Sequence, residues 1–461
     1  MNTNYKIFVK SAALLPGFMR NMAVEMELSP FSSQGIQFMK DNSGGNPVFL
    51  YTGNSPLDIQ SQALQRLLNV AADSGAGIVY SDYCQIKAGK RENVPVADYH
   101  EGCVRSDFDF GELLLLSPQS LDSYVGGNYK YAGLYDFRLQ CSRKLPLLRL
   151  NEFLYTITEN DLRLSGEKQF DYVNPSNREV QIEMEHAFTV HLKAIGAWLP
   201  PVKKTVDFST GEDFHYEASV IIPVKNRVRT IADAVRSVLA QKTDFRYSLL
   251  VVDNHSDDGT SDILERFAAE NENVFHIIPQ TNQLKIGGCW NLAVCDERCG
   301  CFAVQLDSDD LYQDENTLQR IVDKFREEHC AMVIGSYTMT DFELDTIPPG
   351  LIDHAEWTDG NGHNNALRIN GLGAPRAFYT PVLRKIGLPD TSYGEDYAVG
   401  LRICREYKIG RIFDSLYLCR RWGGNSDAAL DIAAVNANNA YKDKLRLVEI
   451  EARKKINAAR Q

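Results

Sequence analysis

The sequence predicts an α/β protein built on a parallel sheet, and three features predict it. Short apolar runs without alternation, Ala218–Pro223, Leu249–Val252 and Phe302–Leu306, have the character of strands buried on both faces. Segments with apolar residues at helical spacing separate them. Two of the runs end in polar, aspartate-rich turns, 253–260 and 306–310. Strand–helix alternation at this spacing implies right-handed crossovers, which bring the strand-end loops to one side of the sheet.

The elements follow in order from about Tyr216. After the first strand, Ile231, Ala234, Val235, Val238 and Leu239 mark a helix over 230–241. The second strand, 249–252, runs into the turn 253–260, which caps a helix over 261–270. A third strand is expected over 274–278, helix beginning at Trp290–Val294, and the fourth strand at 302–306. At the far end, 445–460 reads as an amphipathic helix with Leu445, Val448 and Ile456 on one side and Lys/Arg on the other. A solvated surface is the plain reading of that helix. Docking on an anionic membrane face or a partner helix is the alternative.

The N-terminal half contains an echo of the second. Shifted by 262 positions, Tyr131–Tyr155 falls on Tyr393–Tyr417 without a gap, pairing Tyr131/Tyr393, Tyr135/Tyr397, Leu139/Leu401, Arg143/Arg405, Arg149/Arg411, Leu154/Leu416 and Tyr155/Tyr417. The same shift sets Gly111 on Gly373, and a slightly smaller one sets Gly77–Tyr83 against Ala331–Tyr337. Two related lobes are expected, with domains at 1–200 and 216–425 and a helical segment at 426–461. The echo fails where carboxylates cluster: Gly133-Leu134 stands opposite Glu395-Asp396, and roughly Tyr51–Asn54 stands opposite the aspartate cluster. The first lobe shows no clear counterpart of the 221–253 half, and it reads as non-catalytic.

Composition narrows the function classes. Of the 461 residues, 24% are charged and 44% apolar, which is ordinary for a soluble globular protein. A net charge of −12 disfavours non-specific nucleic-acid binding. No run of eighteen apolar residues suggests a membrane span, and the first residues lack a signal-peptide core, so a cytoplasmic protein is expected. Its ten cysteines are then reduced thiols. Cys289, Cys295, Cys299 and Cys301 lie close in sequence but include no CxxC pair, and small packed side chains explain them better than zinc.

The chemistry concentrates in Leu306-Asp307-Ser308-Asp309-Asp310, where a strand ends in three carboxylates within four residues. Crowded carboxylates repel unless a cation sits among them, and hard cations share such oxygens with a substrate's phosphates. A solvated, aspartate-rich turn is the bland alternative.

Four segments together resemble the family 2 glycosyltransferases of GT-A fold: Ser219–Asn226, Val251–Asn254, Leu306–Asp310 and Tyr393–Asp396, in the family's order over about 216–425. The first lobe resembles only the acceptor-side half of such a domain. The resemblance implies that Pro223, Val224 and Asn226, with Asp253 and Asn254, hold the nucleoside of a nucleotide-sugar donor, most simply a UDP-sugar. Asn254 departs from the family's usual second Asp, although an amide still offers an acceptor. Asp307 and Asp309 resemble the DxD pair, with Asp309 the direct ligand of Mn²⁺ or Mg²⁺, Asp307 on the sugar–ribose side or metal, Ser308 between them, and Asp310 orienting the loop. Asp396 resembles the catalytic base of an inverting displacement, with Glu395 contacting the acceptor or supporting the base. Helix capping is the alternative for Asp253 and Asp396. Leu416–Trp422 resembles the closing segment that brings an Arg, here Arg421, toward the diphosphate. The Gln of the polymerase-type motif is absent, which argues against a processive membrane synthase. The turn 371–376 would underlie the acceptor, with Arg376 beside an anionic group.

A glycan or lipid-linked glycan acceptor, in bacterial surface polysaccharide synthesis, is what the resemblance implies. Two other readings compete. A sugar nucleotidyltransferase would want a better phosphate loop than Pro223–Arg227. A non-catalytic carbohydrate- or nucleotide-binding scaffold would not need intact carboxylates.

Overall fold

A computed structural model describes residues 4–158, 177–201, 203–210, 213–355, 357–425 and 430–460 of the chain. The described residues form two units, one from 4–158, 177–198 and 430–460, the other from 199–425. The helix at the C-terminal end therefore groups with the first unit.

The first unit's strands are β1 (Lys6–Val9), β2 (Ala23–Glu25), β3 (Val48–Tyr51), β4 (Asp58–Ile59), β5 (Ile78–Lys87), β6 (Lys90–Val94), β7 (Leu113–Leu116) and β8 (Leu147–Thr158). The second unit's are β9 (Ala218–Val224), β10 (Tyr247–Asp253), β11 (Val274–Ile277), β12 (Phe302–Gln305), β13 (Leu311–Tyr312), β14 (Met332–Thr340), β15 (Thr346–Ile352), β16 (Arg376–Tyr379) and β17 (Ile409–Arg420). Their sheet runs β11-β10-β9-β12-β16-β14-β17-β13, with β15 on β14. The stretch β11-β10-β9-β12 is parallel, and β16 runs antiparallel to both β12 and β14.

Burial explains the unbroken apolar runs. β9 lies between two parallel partners, and Val220, Ile221 and Ile222, like Leu249 to Val252 on β10, are fully buried. The helix Ile231–Leu239 buries Ile231, Ala234, Val235 and Val238, the stripe expected from their spacing. Phe302 of β12 stacks on Phe325 of the helix Thr317–Glu328, with ring centroids 4.3 Å apart.

The helix Ile286–Cys295 starts earlier than Trp290, and its start was hidden for two reasons. Gly287 and Gly288 depress helix propensity, and the cap comes from afar: Asp390 Oδ1 accepts from the amides of Lys285 (2.7 Å) and Gly288 (2.9 Å). A Cβ on Gly287 would stand 1.9 Å from the Pro389 carbonyl oxygen and 3.3 Å from the Glu395 Cβ. Gly287→Ala should therefore cost about 1–3 kcal/mol in a denaturant titration, the usual range for overpacking, and a neutral result would contradict this packing.

The internal echo holds at the level of strand register. The first sheet runs β2-β1-β3-β7-β5-β8-β4, the order of the second sheet without its outer strand β11. Moved by 262 positions, the bounds of β8 coincide with those of β17. Both parallel pairs break register at one place, where Asp82 faces Phe153 and Ser336 faces Ser415, before Tyr83–Tyr155 and Tyr337–Tyr417 resume. Through β7 and β16, Phe49 and Val304 are equivalent. Thr52, Gly53, Asn54 and Ser55 thus take the places of Asp307, Ser308, Asp309 and Asp310, one residue later than the sequence alignment suggests. One expectation needs correction: β1 and β2 pair in parallel as β9 and β10 do, so the first lobe does carry strands of the half that the sequence left without a counterpart. Short 3-10 turns at Ala12–Leu14 and Gly17–Met22 join them where the second unit has a helix, and that shortness hid the relation.

The terminal helix is longer than expected, Ile432–Ala458, and apart from Ile450 its buried residues are charged: Lys442, Asp443, Arg446, Glu449 and Arg453. Val448 is 66% exposed, whereas Arg446 and Arg453 are fully buried. Arg446 pairs with Asp443 (2.7 Å), Arg453 with Glu449 (2.7 Å), and Arg105 reaches Asp443 (3.3 Å). Buried charges persist only when so paired, and these arginines are not available to a membrane face.

Candidate active site

Loops at the carboxyl ends of β9, β10 and β12 are tied to one another by side chains. Pro223 is half-buried and Val224 buried, and the Val224 carbonyl accepts from the Asn254 amide (2.9 Å). Asn226 adopts a left-handed backbone (φ 54°) that Asn tolerates better than most residues. Its amide donates to Ser256 Oγ (2.9 Å), and its Oδ1 accepts from the Asp257 amide (2.9 Å). Thr230 Oγ1 donates to the carbonyl of Ser308 (3.0 Å), which links this loop to the aspartate cluster.

Asp253 is fully buried at the end of β10. Its Oδ1 accepts from the Ser256 amide (2.9 Å), and its Oδ2 from Ser261 Oγ and His276 Nε2 (3.1 Å). Burial raises the carboxyl's pKa, but the bonds from His276, Ser261 and Ser256 outweigh it and hold it well below the ordinary range. Asp253 therefore braces its own turn. Because the folded value is depressed, its contribution is present above the unfolded value of about 3.9 and is lost as pH falls through the folded one. Asp253→Asn should destabilise the chain by about 1.5–3 kcal/mol at neutral pH, and the gap in urea titrations should narrow on acidification. A gap that widened instead would contradict this. Asn254 Nδ2 donates to the Leu284 carbonyl (2.7 Å), while its buried Oδ1 has no partner among the described residues.

The three aspartates after β12 have different surroundings. Asp307 is exposed; its amide donates to Tyr417 Oη (3.0 Å) and its Oδ1 accepts from Gln305 Nε2 (2.9 Å). Asp309 Oδ2 accepts from Trp422 Nε1 (3.3 Å) and Asn425 Nδ2 (3.1 Å), with Arg227 Nε 3.8 Å away. Asp310 is buried and accepts from the Arg420 amide (2.8 Å), fastening the loop to β17. Burial, then repulsion from Asp307, raises the Asp309 pKa; burial, then Asp309 and Asp307, raises that of Asp310. This excess of buried negative charge fits a cation site. Among the described residues no three His, Cys, Asp or Glu side chains are grouped to hold a metal ion, the four neighbouring cysteines included. A cation here would rest on Asp309 and Asp307 and take its remaining oxygens from a ligand, as Mg²⁺ commonly does.

Glu395 and Asp396 open the helix Glu395–Glu406 after Gly394, whose φ of 80° makes the tight entry. Asp396 Oδ2 receives Arg376 Nη1 at 2.9 Å, and its Oδ1 accepts from the Tyr397 amide (2.7 Å). Arg376 thus contacts a protein carboxylate. Its own amide donates to Gln305 Oε1 (3.2 Å). Gln305 therefore joins Asp307 to the strand that carries Arg376. The Arg421 amide donates to the Thr340 carbonyl (2.7 Å), which fixes the start of the closing segment's last turn to β14.

Gln305, Arg227 and Asn425 escaped the sequence reading. Gln305 stood inside an apolar strand, and Arg227 followed the 223–226 segment without a spacing of its own. Asn425 lies just past the closing motif, where only the turn of 422–425 brings it back to Asp309.

Residues 219–383 match the model of "Glycosyl transferase family 2". No curated protein matches the chain. Among solved structures, S. aureus TarS 1-349 in complex with UDP aligns at 20% identity and a TM-score of 0.38, over 50% of this chain and 65% of that one. The mannosyltransferase PcManGT from Pyrobaculum calidifontis, in complex with GDP-Man and Mn2+, aligns at 16% identity and 0.37, over 62% and 86%.

Proposed function

We propose that the family 2 glycosyltransferase domain of this chain, matched over residues 219–383, transfers a sugar from a nucleoside diphosphate, a UDP-sugar first among candidates, to a hydroxyl of a glycan or lipid-linked glycan. The observation that carries this reading is the linked series Asp307–Gln305–Arg376–Asp396. It joins the strand end suited to a diphosphate to a carboxylate suited to take a proton. Asp396 accepts the proton of the acceptor hydroxyl as the oxygen–anomeric carbon bond forms. The bond from that carbon to the diphosphate breaks, and its electron pair leaves with the nucleoside diphosphate. Attack from the face opposite the leaving group inverts the anomeric centre. A bound Mn²⁺ or Mg²⁺ on Asp309 and Asp307 would supply charge neutralisation for the leaving diphosphate. Asn254 Oδ1, buried and without a partner among the described residues, is suited to accept an N–H of the base.

We read the first unit as non-catalytic, since Thr52 to Ser55 replace the aspartates and Gly133-Leu134 replaces the acidic pair. Among the described residues no helix is long and apolar enough to cross a membrane.

Melting temperatures with UDP, GDP, CDP or dTDP, each with Mn²⁺ or with EDTA, test the donor site. A ligand at about 100 times its Kd adds roughly 2.7 kcal/mol of stability. The expected result is a shift with one nucleotide that EDTA abolishes. No shift with any nucleotide would contradict the reading, and a shift in a chain that turns over no sugar nucleotide would favour a binding scaffold.

A further inference from the structure

Two adjacent carboxylates open the helix at 395, yet the surroundings treat them unequally. Asp396 has the Arg376 guanidinium at 2.9 Å and the Tyr397 amide at 2.7 Å. Glu395 Oε2 is buried with no partner among the described residues. Arg376 is committed elsewhere, its Nη1 also donating to the Gly373 carbonyl at 2.8 Å. A buried ionised oxygen without a donor is costly, whereas a protonated carboxyl pays less for the same burial. The helix N-terminus favours negative charge, but two charges side by side would repel, and Arg376 decides which is kept.

We propose that Glu395 carries a proton in the resting site and donates it as a hydrogen bond to a sugar oxygen, leaving Asp396 as the ionised member of the pair. Arg376 is the positioning residue that assigns the two roles. This rests on the transfer reading above for its substrate but not for its protonation. The charged groups facing Glu395 are Asp396 on its own helix, Arg376 on β16 and Asp307 after β12. The helix 286–295 brings Gly287 against it, and that helix's cap, Asp390, has Oδ1 taken by two amides. Burial, then the charge of Asp396, pushes Glu395 up to about 8. A neutral hydrogen-bond donor here suits a hydroxyl or ring oxygen and leaves a single proton acceptor.

Infrared difference spectra of the full chain test the protonation without any ligand. At pH 7 the wild type should show a carboxylic-acid carbonyl band that E395Q lacks, disappearing on titration through about pH 8. D396N should lower that midpoint by removing the neighbouring charge, and R376Q should raise it by removing the cation. Both variants retain Glu395, so the result does not depend on E395Q folding. In sugar-nucleotide turnover, the wild type should lose activity above that midpoint, while E395Q lacks this alkaline limb and falls several-fold at pH 7. No acid band lost in E395Q, or E395Q as inactive as D396N, would overturn the proposal. A wild type that turns over no sugar nucleotide would overturn the transfer reading, and the infrared result would still decide the state of Glu395.

Discussion

Asp396→Asn should lower kcat for sugar transfer by about 10²–10⁴-fold, with the KM for the donor changing only a few-fold. The amide keeps the size and one acceptor oxygen but cannot take a proton. Arg376 at 2.9 Å holds the carboxylate in place in the wild type, and the same amide would keep that position in the variant. The geometry also predicts what stays intact. Asp396 bonds to Arg376 and the Tyr397 amide, neither of which lies on the loops after β9 and β10, so nucleotide-induced melting shifts should survive in D396N. A loss of kcat below tenfold, or a donor KM that rises in step with it, would remove Asp396 from the base role.

Asp309→Asn should act with opposite sign on stability and on activity. The metal-dependent nucleotide shift should vanish, and turnover should fall by at least about a hundredfold, the scale seen when one stabilising group for developing charge is removed. Without ligands, the same variant should melt higher than the wild type. Burial and the Asp307 charge both raise the Asp309 pKa, so the folded apo chain is penalised for ionising it at neutral pH. Function retains a charge that stability alone would discard. Differential scanning calorimetry of both chains with EDTA, then with Mn²⁺ and UDP, measures the two effects. A lower apo melting temperature in D309N would show that the bonds from Trp422 and Asn425 outweigh the repulsion.

Much of this was legible in the sequence because the relevant interactions are local or periodic. The β9, β10 and β12 strands announced themselves as apolar runs, since β9 and β10 are buried between parallel neighbours and β12 between parallel β9 and antiparallel β16. The repeat was legible because register-keeping residues such as Tyr155 and Tyr417 recur at a constant offset. What stayed hidden depends on distance along the chain. The cap of helix 286–295 lies at Asp390, the link from Asp307 to Asp396 passes through Gln305 and Arg376, and the latch on Asp309 comes from Trp422 and Asn425. The terminal helix misled for another reason. Its arginines carry long charged side chains that read as solvent-facing, and only partners such as Asp443 and Glu449 allow them to be fully buried. Strands β1 and β2 were missed because 3-10 turns, which leave no helical stripe, connect them.

The most direct test of the central claim is the anomeric configuration of the sugar released from a UDP-sugar, with water as acceptor, read by proton NMR before mutarotation. Inversion that requires Mn²⁺ or Mg²⁺ and is lost in both D309N and D396N is the expected result. Retention of configuration, or turnover that persists in EDTA and in D396N, would contradict it.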